Sequence, residues 1–273
     1  MVLAHVRAQA QPYAARVLIG DLAMGGRAAA YTWLATTLAP ETVPLRVVPG
    51  NHDDPAVLAQ AAPSLQRELP WPLTLGTWRL LGLDTRIAEP PYGGLGGSAR
   101  AWLVDRISTL PAGTHAGVIM HHPPFAIGSP WLDPMGLLDA TQLWSLLRPY
   151  PALRLITCGH VQQNFDHYRG EVRILTTPST CVQFAPRARH HTTDARSHGY
   201  RIIHLHDDGR VDTAVIRVPL SARSCIATAL NRARRADRSA MRRQRQRWCR
   251  VHACRHQCGR HRGRADKADR RAP

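Results

Sequence analysis

Short apolar runs, each closed by a glycine, a proline or a polar residue, recur along the first 220 residues. Residues 16–19 (Arg-Val-Leu-Ile) end in Gly20-Asp21, and residues 45–48 (Leu-Arg-Val-Val) end in Pro49-Gly50-Asn51-His52-Asp53. Residues 78–84 read Trp-Arg-Leu-Leu-Gly-Leu-Asp. Residues 116–120 (Ala-Gly-Val-Ile-Met) run into His121-His122-Pro123-Pro124, and 153–158 (Leu-Arg-Leu-Ile-Thr-Cys) into Gly159-His160. Runs this short, bounded this way, predict buried strands. Stretches of helical character lie between them, at 28–38, 55–65, 99–110 and 137–147. Strands alternating with helices predict an α/β core. Farther on, 172–177 and 200–206 predict strands, and Asp207-Asp208-Gly209 marks a tight turn into 211–218, hence a hairpin. Beyond about Leu220 the periodicity decays into an Arg-rich run that cannot bury a core. The expected organisation is one domain over 1–220 and a disordered tail over 221–273.

Composition agrees with that division. At 44% hydrophobic residues, the 273-residue chain can fill a sizeable core. No run approaches the roughly 20 apolar residues of a membrane span. The opening MVLAHVRAQAQPYAARVLIGD has no apolar core with a cleavage site, so a cytoplasmic protein with reduced thiols is expected. The formal charge of +17 is uneven: residues 221–273 hold sixteen Arg and one Lys against three Asp. The tail therefore carries most of the basicity, and the domain is only mildly basic. Cys249, Cys254, Cys258 and His261 match no common zinc spacing. Nucleic acid is expected to meet the tail only non-specifically and in a salt-dependent way.

The chemistry sits at the strand ends. Loops leaving the carboxyl ends of strands in an α/β sheet converge on one crevice. Four of the runs end in metal-ligand types, Asp21, Asn51, His121 and His160, three of them next to a glycine. A mixed Asp, Asn and His set suits borderline divalent metals such as Mn, Fe, Co or Zn. Two such metals about 3.5–4 Å apart can clamp a phosphoryl group. Taken singly, Gly-Asp is an ordinary turn or cap, and His-His-Pro-Pro an ordinary loop. Their order, each after a strand, argues against coincidence.

Gly20-Asp21, Gly50-Asn51-His52-Asp53, His121-His122-Pro123-Pro124 and Gly159-His160 resemble the successive signatures of the calcineurin-like metallophosphoesterase superfamily. Cys158-Gly159-His160, residues 177–184 (Thr-Pro-Ser-Thr-Cys-Val-Gln-Phe) and Trp131-Leu132-Asp133 resemble its bacterial cyclic-AMP phosphodiesterase branch. The resemblance spans about residues 10–218. It implies a two-sheet α/β/β/α sandwich with a dinuclear metal site, hydrolysing 3′,5′-cyclic AMP to AMP with a metal-activated water. By resemblance Asp21 bridges both metals, and Asn51, His121 and His160 complete one of them. His52 lies near the leaving oxygen as general acid or phosphate contact, with Asn51 and Gln162 facing substrate. His122 is the weaker of the histidine pair, because the family's ligand is the His two places before Pro.

The chain departs from the family at one metal. The family opens with a strand ending in Asp-x-His, some forty residues before Gly-Asp. Here 20 residues precede Asp21, and none is Asp. The family's Gly-His-x-His reads Gly159-His160-Val161-Gln162. All three lost ligands serve the same metal. The expectation is a half-site holding one ion, a missing first strand and reduced activity, with a misassigned start codon or a truncated gene as its origin and out-of-frame read-through as the origin of the tail. The alternatives are a non-catalytic phosphate or nucleotide binder, an enzyme for another phosphoester, and a nucleic-acid binder acting through the tail.

Overall fold

The central strands show no alternation of buried and exposed positions, because both of their faces are covered. The computed structural model describes residues 1–9, 12–65, 68–88 and 91–219. The expectations about residues 221–273 lie outside them. Strands β4 (Trp78–Gly82), β5 (His115–Met120), β6 (Leu153–Cys158) and β8 (Val172–Thr176) run parallel to one another. Antiparallel strands β3 (Trp71–Leu75) and β7 (Phe165–Arg169) close the two edges, giving the order β3-β4-β5-β6-β8-β7. On one face, Leu81, Val118, Met120, Ile156 and Cys158 pack with Leu103 and Ile107 of α4 (Gly97–Ser108) and with Leu143 and Leu147 of α5 (Ala140–Leu147).

The other face meets a second β layer. Leu80, Ile119, Leu155 and Leu175 pack against Val17 and Ile19 of β1 (Arg16–Ile19) and Val48 of β2 (Leu45–Val48). Ile203 and Leu205 of β11 (Gly199–Leu205) and Val211 of β12 (Val211–Arg217) join the same cluster. Outside β1 and β2, Leu18 and Leu45 pack with Tyr31 and Leu38 of α2 (Ala28–Leu38) and Leu58 of α3 (Pro55–Ala61). The layers are therefore α/β/β/α, as the resemblance implies. The second β layer comes in two pieces, however. β1 pairs in parallel with β2 and β11 pairs antiparallel with β12, and no described strand joins the two pairs. The first residues form a helix, α1 (Val2–Arg7), whose Val2 and Val6 are buried with Val218 beside Tyr13 and Tyr200.

Most elements lie where periodicity places them, and the exceptions have physical reasons. Helix α3 starts at Pro55 because the Asp54 side chain accepts from the Ala56 and Val57 amides at 2.9 and 3.0 Å. It stops at Ala61, short of the expected 65. Strand β3 is not legible as one, because Pro72 interrupts it. An edge strand tolerates that loss of a donor. Strand β7 is Phe-Asp-His-Tyr-Arg, largely exposed and without an apolar run. Short strands β9 (Gln183–Phe184) and β10 (Thr193–Asp194) also escape the periodicity.

Two tryptophans tie the layers together. Trp71 Nε1 donates to Val47 O at 2.7 Å, and Trp78 Nε1 to His206 O at 2.8 Å. Trp78 is 1% exposed, so Trp78→Phe removes both volume and the inter-layer bond. We expect it to lower stability by roughly 1–3 kcal/mol, measured by urea denaturation.

Candidate metal centre

Three glycines bring the ends of β1, β2 and β6 against one imidazole. A Cβ at Gly20 would lie 2.2 Å from His121 Nδ1 and 2.7 Å from Gly50 N. One at Gly50 would lie 2.2 Å from Asp21 Oδ1, and one at Gly159 would lie 2.3 Å from Ile19 O. No side chain fits at these positions. His121, just after β5, is 1% exposed, and its Nδ1 lies 2.9 Å from Ile19 O. A carbonyl only accepts, so Nδ1 carries the proton. Nε2 is turned toward Asn51 Oδ1 at 3.2 Å and Asp21 Oδ1 at 3.4 Å. His160 Nδ1 lies 3.0 Å from the same Asn51 oxygen.

Asp21, Asn51, His121 and His160 thus lie side by side in the structure. Their ligand-type atoms stand 3.0–3.4 Å apart along these contacts. The edge of a tetrahedron around an ion with bonds of about 2.1 Å is about 3.4 Å, so the set fits a divalent cation. His122 Nε2, His160 Nε2 and Gln162 Oε1 are buried without a hydrogen-bond partner, which also marks a polar occupant. One ligand atom each from His121, His122 and His160 lies within 4.8 Å of the others, so His122 belongs to the cluster. Asp21, His160 and Gln162 adopt φ of 54°, 62° and 51°, a left-handed conformation that non-glycine residues rarely hold outside functional loops. The His52 amide donates to Asp21 Oδ1 at 3.1 Å, and the residue is half-buried. Gln162 is half-buried beside His160.

The charges follow from burial. Burial pushes the Asp21 carboxyl up, but His121 and then His52 outweigh it and hold it well below the usual carboxylate range. Burial pushes His121 down, and Asp21 reverses this, so its net shift is upward. His122 is pushed down to about 3 by burial and then by His121. His160 is pushed well down by the same two causes, with His122 adding to them.

Sequence reasoning missed the residue that fixes the loops. Asp53 is 8% exposed and accepts from Leu22 N (3.2 Å), Ala23 N (3.0 Å), Gly50 N (2.9 Å) and Tyr31 Oη (3.0 Å). Its oxygens are consumed in clamping the Asp21 loop to the Asn51 loop. The signal was its place beside Asn51-His52, but only the fold reveals the donors. Thr85 was also missed. Its Oγ1 lies 2.8 Å from His122 Nδ1.

Residues 2–164 match the profile of the calcineurin-like phosphoesterase family, and the chain belongs to that family. The family uses divalent metals, in keeping with the histidine cluster. The chain is 39% identical over 201 residues to the 3′,5′-cyclic adenosine monophosphate phosphodiesterase CpdA of Pseudomonas aeruginosa, covering 73% of this chain and 72% of that protein. It is 33% identical over 218 residues to the CpdA of Escherichia coli K12, covering 80% and 79%. In fold it is similar to a dimetal phosphatase from Danio rerio (TM-score 0.51, 15% identity, 76% and 84% covered). It is also similar to GAP50 of Plasmodium (TM-score 0.54, 15% identity, 74% of each chain).

Asp53→Ala leaves the buried Ala23 and Gly50 amides, the half-buried Leu22 amide and the Tyr31 hydroxyl without this acceptor, so it should lower stability by about 3 kcal/mol by chemical denaturation. A second expectation concerns pH in chelator. His122 and His160 stay neutral in the folded chain below the ordinary histidine pKa of about 6.5, while the unfolded chain takes up protons there. Their stability contribution is lost as pH falls from about 6.5 towards 4. His121, shifted upward, opposes this with a single group. The urea midpoint of the metal-free protein should therefore fall between pH 7 and pH 5.

Proposed function

We propose that this chain hydrolyses 3′,5′-cyclic AMP to AMP with one divalent ion, iron, manganese, cobalt or zinc, held by Asp21, Asn51, His121 and His160. The observation that carries this is the convergence of these four side chains on one point. The substrate is drawn from the relatives named as cyclic-AMP phosphodiesterases. When bound, the ion supplies a Lewis acid for a phosphoryl oxygen and acidifies water. Asp21 stays ionised throughout the physiological range. Ile19 O fixes the His121 tautomer, so Nε2 faces the site. His52, pinned through its amide to Asp21, holds its ring at the rim, where a ring proton can pass to the leaving ribose oxygen. The Asn51 and Gln162 amides add hydrogen bonds to the phosphate. Two unpaired thiols, Cys158 and Cys181, suit the cytoplasm we propose as its compartment. Among the described residues no helix is long and apolar enough to cross a membrane.

One observation favours a weaker, binding-only reading. A second ion would find Asp21 and Gln162 but no second imidazole of a Gly-His-x-His motif. Metal analysis of the purified chain and a cyclic-AMP turnover assay separate the readings. We expect one tightly held ion and slow turnover. His121→Ala should reduce turnover by more than the roughly 10–100-fold typical of losing a ligand's outer partner. Two tight ions with robust turnover would overturn the single-ion assignment, and one ion with no turnover would establish the binding-only reading.

A further inference from the structure

The His122 ring is held as firmly as any ligand in the site. It is 0% exposed and packs on Gly93, where a Cβ would come within 2.4 Å of its Cγ. Its Nδ1 lies 2.8 Å from Thr85 Oγ1, and its backbone amide donates to the same oxygen at 3.3 Å. These contacts fix the ring and leave Nε2 as its one nitrogen without a partner, fully buried. The ring stands among the other two imidazoles, with centroids 4.9 Å from His121 and 4.8 Å from His160. A buried polar atom with no partner costs about 1–3 kcal/mol, and His160 Nε2 and Gln162 Oε1 share that condition.

Resting on the reading that this site holds a divalent ion, we propose that His122 is itself a metal ligand in this chain, through Nε2. The family pattern puts only the first histidine of His121-His122 on metal. Here His122, next to His121 on the same loop, adds a third imidazole to the pair His121 and His160. Three imidazoles beside one carboxylate and one amide oxygen favour zinc, cobalt or iron over manganese and magnesium. Asp21 stays the single anionic ligand, and the ion's second charge is balanced by substrate phosphate.

Zinc and manganese affinities of the full chain, measured by competition with a chelator, test this. His122→Gln should weaken zinc binding by more than the roughly 10–100-fold typical of losing a ligand's outer partner, and manganese binding far less. If the ring only fills space between Gly93 and Thr85, the variant loses thermal stability while zinc affinity stays within about twofold, and the proposal falls. The wild-type chain gives an answer independent of the variant's folding. In ¹⁵N spectra of labelled histidines, zinc should move three ring nitrogens, on His121, His122 and His160. Movement of two overturns the proposal. Cyclic-AMP turnover, measured separately, keeps the two readings apart. Zinc affinity lost in His122→Gln when the wild type shows no turnover leaves the ligand assignment standing and sinks the hydrolase reading. Unchanged affinity with intact turnover does the reverse.

Discussion

The two β layers close on the ring of His121. Packed sheets ordinarily stand about 10 Å apart, which leaves room for side chains between them. Here the backbone after β1, β2 and β6 reaches the imidazole itself, and only glycines at positions 20, 50 and 159 permit the approach. The Ile19 carbonyl then selects the tautomer of the ring. The ligand geometry is thus fixed mainly by backbone, whose conformational freedom is already spent in folding. Asp21 and His160 accept left-handed dihedrals to complete it, a local cost that such a tightly packed surrounding can sustain.

The electrostatics of the site follow from the same enclosure. One carboxylate lies among three buried imidazoles, and its charge favours the nearest of them, His121. Asp21 and His121 each favour the other's charged form, while burial, and the charge already present, push His122 and His160 towards the neutral form. Neutral imidazoles with unpartnered nitrogens are what a borderline dication needs. Asp53, two residues after Asn51, is excluded from that role because four donors already occupy its oxygens. Two acidic residues in adjacent loops therefore have different tasks, one facing the ion and one joining the loops.

Much of this was legible in the sequence because the relevant signals are local. A metal-ligand residue at the end of an apolar run, after a glycine in three cases of four, marked Asp21, Asn51, His121 and His160, and the fold brings all four side by side. Helix α2 lies at the residues the periodicity marks, because its apolar positions and the flanking polar ones agree. What stayed hidden depends on contacts distant in sequence. Asp53 acquires its meaning from amides some thirty residues away, and His122 from Thr85 and Gly93. Strands β3 and β7 were invisible for a different reason. At sheet edges a proline or a polar run costs little, so selection for an apolar pattern is absent there.

The division of the second β layer bears on how the site can survive unusual surroundings. Strand β1 has β2 on one edge and no described strand on the other, and all four of its residues are only partly buried. If sheet pairing alone positioned Asp21, this would loosen the ligand. Asp21 is instead held by the Gly20–Gly50–His121 contact, by the His52 amide and by the Asp53 clamp on the residues that follow it. None of those involves the open edge. The cluster of Asp21, Asn51, His121 and His160, the proposed ion position, is therefore mechanically separate from the gap between the β1–β2 and β11–β12 pairs. A second ion position would have no such support in the described residues, since Gln162 offers it an amide and no imidazole. The fold thus supports the proposed first ion position, while a second would have nothing comparable to stand on.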